Sequence, residues 1–187
     1  MESSLQPCPC QVNPHAKTST ALPTYQDCCQ PYHDGFFGEG VDTANSVTAD
    51  TAERLMRTRY SAFVLVKPEY IVKTTLPAQQ KLLDIQAIEQ WAKDTSWAGL
   101  NIVKHTPKLG KRHAQVEFQA YFQTPEGLQA HHELSAFVKI KDNTAADKKQ
   151  SERWYFLDPT MAMSVTQKQP CICGSGEKFK RCCGGYI

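Results

Sequence analysis

The chain has 187 residues and a formal net charge of +2, enough length for one hydrophobic core with small additions. Near-neutral charge gives no bulk argument for a nucleic-acid partner, and no run approaches the ~20 apolar residues of a membrane span. The start, MESSLQPCPCQ, lacks the basic-then-apolar order of a secretory signal, so a cytoplasmic protein is the expectation.

In chain order, the first feature is a cysteine quartet, Cys8-Pro9-Cys10 and Cys28-Cys29, spaced C-x-C-x17-C-C. Its insert is rich in Pro, Ser and Thr and reads as a loop. A longer loop adds little closure entropy, so the four thiols remain candidates for one zinc ion. His15 in that insert is either a substitute ligand or a solvated side chain.

Residues 34–50 read as a Gly/Thr/Ser linker, and Asp50 with Glu53 as a capping box. A helix over Ala52–Val66 carries Leu55, Met56, Tyr60, Phe63 and Val66 on one stripe. Pro68 opens a second helix through Thr75, and Pro77 a third through Lys93, with Leu82, Leu83, Ile85, Ile88 and Trp91 as its core face. Tyr60, Trp91 and Trp97 are expected in the core.

The period then changes. Trp97–His105 reads as a strand with imperfect alternation. Ala114–Gln123 places Val116, Phe118, Ala120 and Phe122 on one face. Pro125-Glu126-Gly127 is a turn, and Gln129–Ile140 groups His132, Leu134, Ala136, Val138 and Ile140. Residues 141–151 form a polar loop before a last strand, Arg153–Asp158. Helices followed by about four antiparallel strands predict an α+β fold.

Several polar residues of this middle region are candidates for chemistry: His105, His113, His131, His132, Glu133 and Asp158. His132 shares a face with Leu134 and Ala136 and is expected to point inward. His131 and Glu133, on the opposite face, are either an acid–base pair or a solvated pair. Asp158 either caps a turn or projects inward.

The chain closes on CICGSGEKFKRCC, spaced C-x-C-x8-C-C over Cys171, Cys173, Cys182 and Cys183. None of the eight cysteines lies between Cys29 and Cys171, whereas a disulfide framework spreads its cysteines through the fold. Four thiolates suit tetrahedral zinc, and a site filled by protein ligands is structural. Gly174 and Gly176 permit a tight turn, and Glu177 to Arg181 reads as one helical turn returning Cys182 and Cys183. A redox or disulfide-bonded tail is the alternative. Lys178, Lys180 and Arg181 either balance thiolate charge or, with Phe179, contact a partner; Phe179 could equally pack on the zinc turn.

CICGSGEKFKRCCG resembles the SEC-C motif, named from the SecA C-terminus, where it is a zinc-stabilised docking element. LMRTRYSAFVLVKPEYIVKTTLP (55–77), HELSAFV and RWYFLDP are similar to stretches of the YchJ family, so the resemblance covers nearly the whole chain. Departures are Thr75-Leu76-Pro77 where that family has W-H-P, Ala136 for an arginine, and Pro159 for a glycine.

The resemblance implies an NTF2-like cone, a bent antiparallel sheet around about three helices, flanked by two zinc modules. It implies the division 1–33, 34–50, 51–160, 161–169 and 170–187. It also implies a protein partner at the tail and a homodimer. Two functions follow: an adaptor docking a protein or ribonucleoprotein, or a small enzyme or ligand-binding protein using the cone. Cones host both. Convergent titratable groups with perturbed pKa values inside the cone favour the second, and a filled apolar cone the first.

Overall fold

The structure, a computed structural model, describes residues 6–17, 21–36, 47–141, 152–161 and 163–187. Among the described residues six α-helices precede the sheet: α1 (Tyr25–Cys28), α2 (Gln30–Phe36), α3 (Ala52–Val64), α4 (Pro68–Lys73), α5 (Pro77–Gln80) and α6 (Ile85–Asp94). Four strands follow, β1 (Ser96–Leu109), β2 (His113–Thr124), β3 (Gly127–Lys141) and β4 (Glu152–Leu157), paired as an antiparallel meander in that order. The α+β expectation holds.

Helix α3 begins where Thr51 accepts a hydrogen bond from the Arg54 amide. Thr51 is thus the N-cap, one residue after the Asp50 of the expected capping box; its β-branched hydroxyl reaches the third amide equally well. The expected helix Pro77–Lys93 is two helices, because the Asp84 carboxylate caps the amides of Gln86 and Ala87 and starts α6 afresh. Leu82, Ile85 and Trp91, expected in the core, are consequently exposed, Trp91 by 50 %.

Strand β1 is longer than expected and carries three register shifts against β2, at 97/99, 102/104 and 106/109. Each bulge reverses the side-chain phase, which explains the broken alternation. At the first shift Gly99 has φ +146°, and a Cβ there would stand 2.6 Å from the Val12 oxygen. The neighbouring Leu100 amide donates to that oxygen at 2.7 Å, so the N-terminal segment is stitched to β1 where only glycine fits.

The inner sheet face packs Val116, Phe118, Ala120 and Phe137 against Leu55, Met56 and Tyr60 of α3. The outer face is covered by Cys171, Cys173, Cys182, Cys183 and Phe179 over Ala136, Val138 and Leu157. Edge strand β4 is closed by the chain after α4, through Leu76 N–H to Phe156 O and Phe156 N–H to Thr74 O, both 2.9 Å. Most of the expected linker 34–50 and of the expected loop 141–151 lies outside the described residues.

Replacing Gly99 by Ala is expected to cost about 1–3 kcal/mol, the range for a residue forced into a glycine-only region. Thermal unfolding of the purified variant measures it; an unchanged melting temperature would refute the stitch.

Candidate functional site

Each cysteine quartet closes into a buried cluster, its four sulfurs all within 4.8 Å of one another. In the first, a 3-10 turn over Pro9–Gln11 presents Cys8 and Cys10, while the α1–α2 junction presents Cys28 and Cys29. Sulfur separations are 3.7 Å (Cys8–Cys10), 3.6 Å (Cys10–Cys28), 3.5 Å (Cys10–Cys29) and 3.9 Å (Cys28–Cys29). Sulfurs about 2.3 Å from a tetrahedral zinc stand about 3.8 Å apart, whereas disulfide sulfurs are bonded at about 2.05 Å. The spacing fits zinc and not a disulfide.

Electrostatics point the same way. Hydrogen bonding from Cys10 above all pushes Cys28 far below the ordinary thiol range, and holds Cys8 at about 7. Cys10, bonded chiefly to Cys28, and Cys29, bonded chiefly to Cys10, are pushed up. Four thiols buried this close together cannot all ionise unless a cation lies among them. Side-chain donors reach the sulfurs from outside: Gln11 Nε2 to Cys28 at 3.5 Å and Arg54 Nη1 to Cys28 at 3.7 Å. The Ser61 hydroxyl lies 3.5 Å from Cys8 Sγ. Arg57 Nη1 donates to the Cys10 carbonyl at 3.0 Å. His15 is not at the cluster; it lies edge-on to Tyr121, 5.0 Å between centroids.

In the second cluster Gly174 and Gly176 take φ +74° and +78°, and the Cys183 amide donates to Cys171 Sγ at 3.4 Å. Cys173 and Cys182 are 3.5 Å apart. Cys183 holds Cys173 down to about 4 and is itself pushed up by Cys173, while burial first of all raises Cys182 to about 11. His113, from the start of β2, brings Nε2 to 3.5 Å from Cys183 Sγ and stacks on Tyr186 at 4.4 Å. This histidine, expected only as a polar candidate of the middle region, ties the tail to the sheet. The expected helical turn is a 3-10 turn over Phe179–Arg181, and of the two readings of Phe179, partner contact or packing in the tail, the structure has it buried in the tail. Lys178, Lys180 and Arg181 are exposed.

Between α3, α6 and the inner sheet face lies a cavity of about 510 Å³. Its apolar walls include Phe63, Trp91, Trp97, Phe118 and Phe156, and its polar groups include Arg59, His131, Glu133, Ser135 and Asp158. The Arg59 side chain, 5 % exposed, stacks over Phe156 at 4.4 Å. Its Nη1 donates to Ile71 O at 2.8 Å, Thr74 Oγ1 at 2.7 Å and Thr75 Oγ1 at 3.2 Å. Burial lowers its pKa to about 10, which leaves it cationic at neutral pH.

His131 Nε2 is 2.9 Å from Glu133 Oε2, and the Ser135 hydroxyl donates to Glu133 Oε1. Asp158 Oδ1 caps a turn, accepting from the Thr160 amide at 2.8 Å, and also lines the cavity. His132 is a correction: it faces outward, exposed, 2.9 Å from Glu117 Oε1, with Leu134 57 % exposed beside it. The grouping of His132 with Ala136 and Val138 was sound, but that face is the outer one, covered only where the tail lies. His105 sits 3.5 Å from Glu53 and does not line the cavity. Sequence reasoning missed Arg59, although a charge at i+4 from Leu55 and i+3 from Met56, inside an apolar stripe, was a visible signal.

Family models match three segments of the chain. Residues 51–159 match the family model of the YchJ middle NTF2-like domain, residues 1–37 that of the YchJ family N-terminal zinc binding domain, and residues 168–185 that of the SEC-C motif. A UPF0225 protein of Haemophilus influenzae is 46 % identical over 184 residues, covering 98 % of this chain and 95 % of its own. Another from Actinobacillus succinogenes is 43 % identical over 180 residues, covering 96 % and 97 %. Among solved structures, a SEC-C motif containing protein from Psychrobacter arcticus is 70 % identical with a TM-score of 0.92 over 100 % of both chains. A SEC-C motif containing protein from Rhodopseudomonas palustris is 29 % identical with a TM-score of 0.57, over 82 % of this chain and 96 % of that one.

The joint replacement Cys171→Ser with Cys173→Ser is expected to lower bound zinc from two ions per chain to one, because each tetrad offers the four sulfurs that one tetrahedral ion takes. It should also lower the melting temperature of the whole domain, since that cluster covers Ala136, Val138 and Leu157. Elemental analysis and calorimetry read the two effects; an unchanged main transition would mean that the tail folds apart from the sheet.

Proposed function

The chain belongs to the YchJ family, and from that premise we propose a zinc-stabilised NTF2-like protein whose cone binds a small molecule. The observation that carries the reading is the open cavity of about 510 Å³ with an aromatic wall and convergent polar groups. A filled apolar cone would have favoured an adaptor. The eight cysteines are assigned as structural ligands, Cys8, Cys10, Cys28 and Cys29 to one ion and Cys171, Cys173, Cys182 and Cys183 to a second. With all four positions of each ion taken by sulfur, neither offers an open coordination site to a substrate.

The ligand suited to this space has a flat or branched apolar body to lie along Trp91, Trp97 and Phe118, and an oxygen-bearing end for Arg59. Trp91 and Trp97 stand 5.3 Å apart at that wall, so their fluorescence reports occupancy.

A second reading, docking of an acidic protein surface by the tail, is supported by the exposed Lys178, Lys180 and Arg181. Phe179 drops out of that contact because it is buried. A homodimer would have the outer sheet face to use, where Leu134 and Val103 are exposed. Among the described residues no helix is long and apolar enough to cross a membrane.

Small aromatic ketones and phenols are expected to quench tryptophan fluorescence saturably. Ala120→Trp, which puts a large ring into the cavity wall, should abolish binding and leave both zinc ions in place. Absence of saturable quenching by every such compound would contradict the cavity reading and return the adaptor to first place.

A further inference from the structure

Granted that the cavity takes a ligand, as proposed above, we infer that it is a catalytic site for proton transfer at carbon, with His131 as its base. His131, Glu133 and Ser135 are alternate residues of β3 and therefore project from one face, the face that lines the cavity. Opposite them on β2 stand Ala120, Phe118 and Val116, so a polar ladder runs beside an apolar one.

The hydrogen bonds run in one direction. Ser135, buried, donates to Glu133 Oε1. The carboxylate can only accept, so the contact at 2.9 Å places a proton on His131 Nε2. The neutral ring then carries its lone pair on Nδ1, which has no protein partner among the described residues. The imidazole is 52 % exposed, yet it borders both the central cavity and the adjoining recess behind Trp91 and Trp97. A base oriented by a carboxylate that is itself held in place is the arrangement general-base catalysis requires.

Arg59 supplies the complementary charge. Only its Nη1 is engaged by protein oxygens among the described residues, so Nε and Nη2 keep their donors for a ligand oxygen. The substrate class is a small carbonyl compound with an acidic α C–H and an apolar body. His131 Nδ1 takes the α proton and the C–H bond breaks. Its electron pair moves into a C=C bond, and the carbonyl electrons move to the oxygen beside Arg59. The imidazolium, stabilised by Glu133, returns the proton to the same or another carbon, so no oxidant or co-reactant is consumed. Glu133 and Ser135 act through His131 and are positioning residues.

Nitrobenzisoxazole is a suitable probe because it is flat, apolar and opened by removal of one C–H proton. The C–H electrons form a nitrile, the N–O bond breaks, and the leaving phenolate oxygen carries the negative charge. The full zinc-loaded chain is expected to accelerate this opening saturably. His131→Ala should lower kcat about a hundredfold with KM little changed, and added imidazole should restore part of the loss. Glu133→Gln should lower kcat while leaving KM unchanged. Tryptophan quenching by the probe is measured in parallel. Quenching without acceleration, or with equal rates for wild type and H131A, overturns the base and leaves the cavity reading standing. Absence of both quenching and acceleration overturns the cavity reading, and the base with it.

Discussion

Eight buried sulfurs in two groups of four are the constraint on which the rest of the structure depends. Thiols 3.5–3.9 Å apart in the first group and 3.5 Å in the second are too far apart for disulfide bonds and too close for four separate anions. Ionisation of a complete group requires a cation at its centre, and the separations match zinc. Because ligand binding of this kind is linked to folding, metal affinity becomes part of the stability of every residue packed on the clusters.

Those residues lie on the same elements as the two walls of the cavity. Helix α3 turns Arg54, Arg57 and Ser61 toward the N-terminal cluster and Met56, Arg59, Tyr60 and Phe63 toward the cavity. On the other side, Ala136, Val138 and Leu157 lie beneath the C-terminal cluster, while Glu133, Ser135 and Phe156, on the same strands, face inward. Each cysteine cluster therefore stands behind one wall. Buried His33 braces the same helix, with Nε2 2.9 Å from Thr58 O and Nδ1 2.7 Å from Tyr25 OH. The centres are structural in chemistry, and their position makes them part of whatever the cavity does.

Much of this was legible in the sequence because it is local. Adjacent cysteines, the glycine turn, proline helix starts and the alternation of β2 depend on neighbours a few residues away. What failed depends on which layer covers which face. Alternation groups His132, Leu134, Ala136 and Val138 correctly, but cannot say that a tail 35 residues downstream of Ala136 (171 − 136) covers only part of that face. The apolar run from Leu82 to Trp91 reads as core because its period is helical; the Asp84 cap splits it, and the open cavity leaves Trp91 half exposed. Phe179 between two lysines looks like a surface anchor, yet a module this small has few other side chains to fill its interior. Arg59 was hidden by the habit of assigning charge to the solvent side of a helix.

The most direct test of the account is amide hydrogen exchange with and without zinc. If the two centres hold the cavity walls, zinc removal will lower protection along α3 and along β3–β4, far beyond the cysteine segments themselves. Loss of protection confined to residues 6–33 and 165–187 would contradict it, and would show the centres to be independent modules on a self-sufficient core.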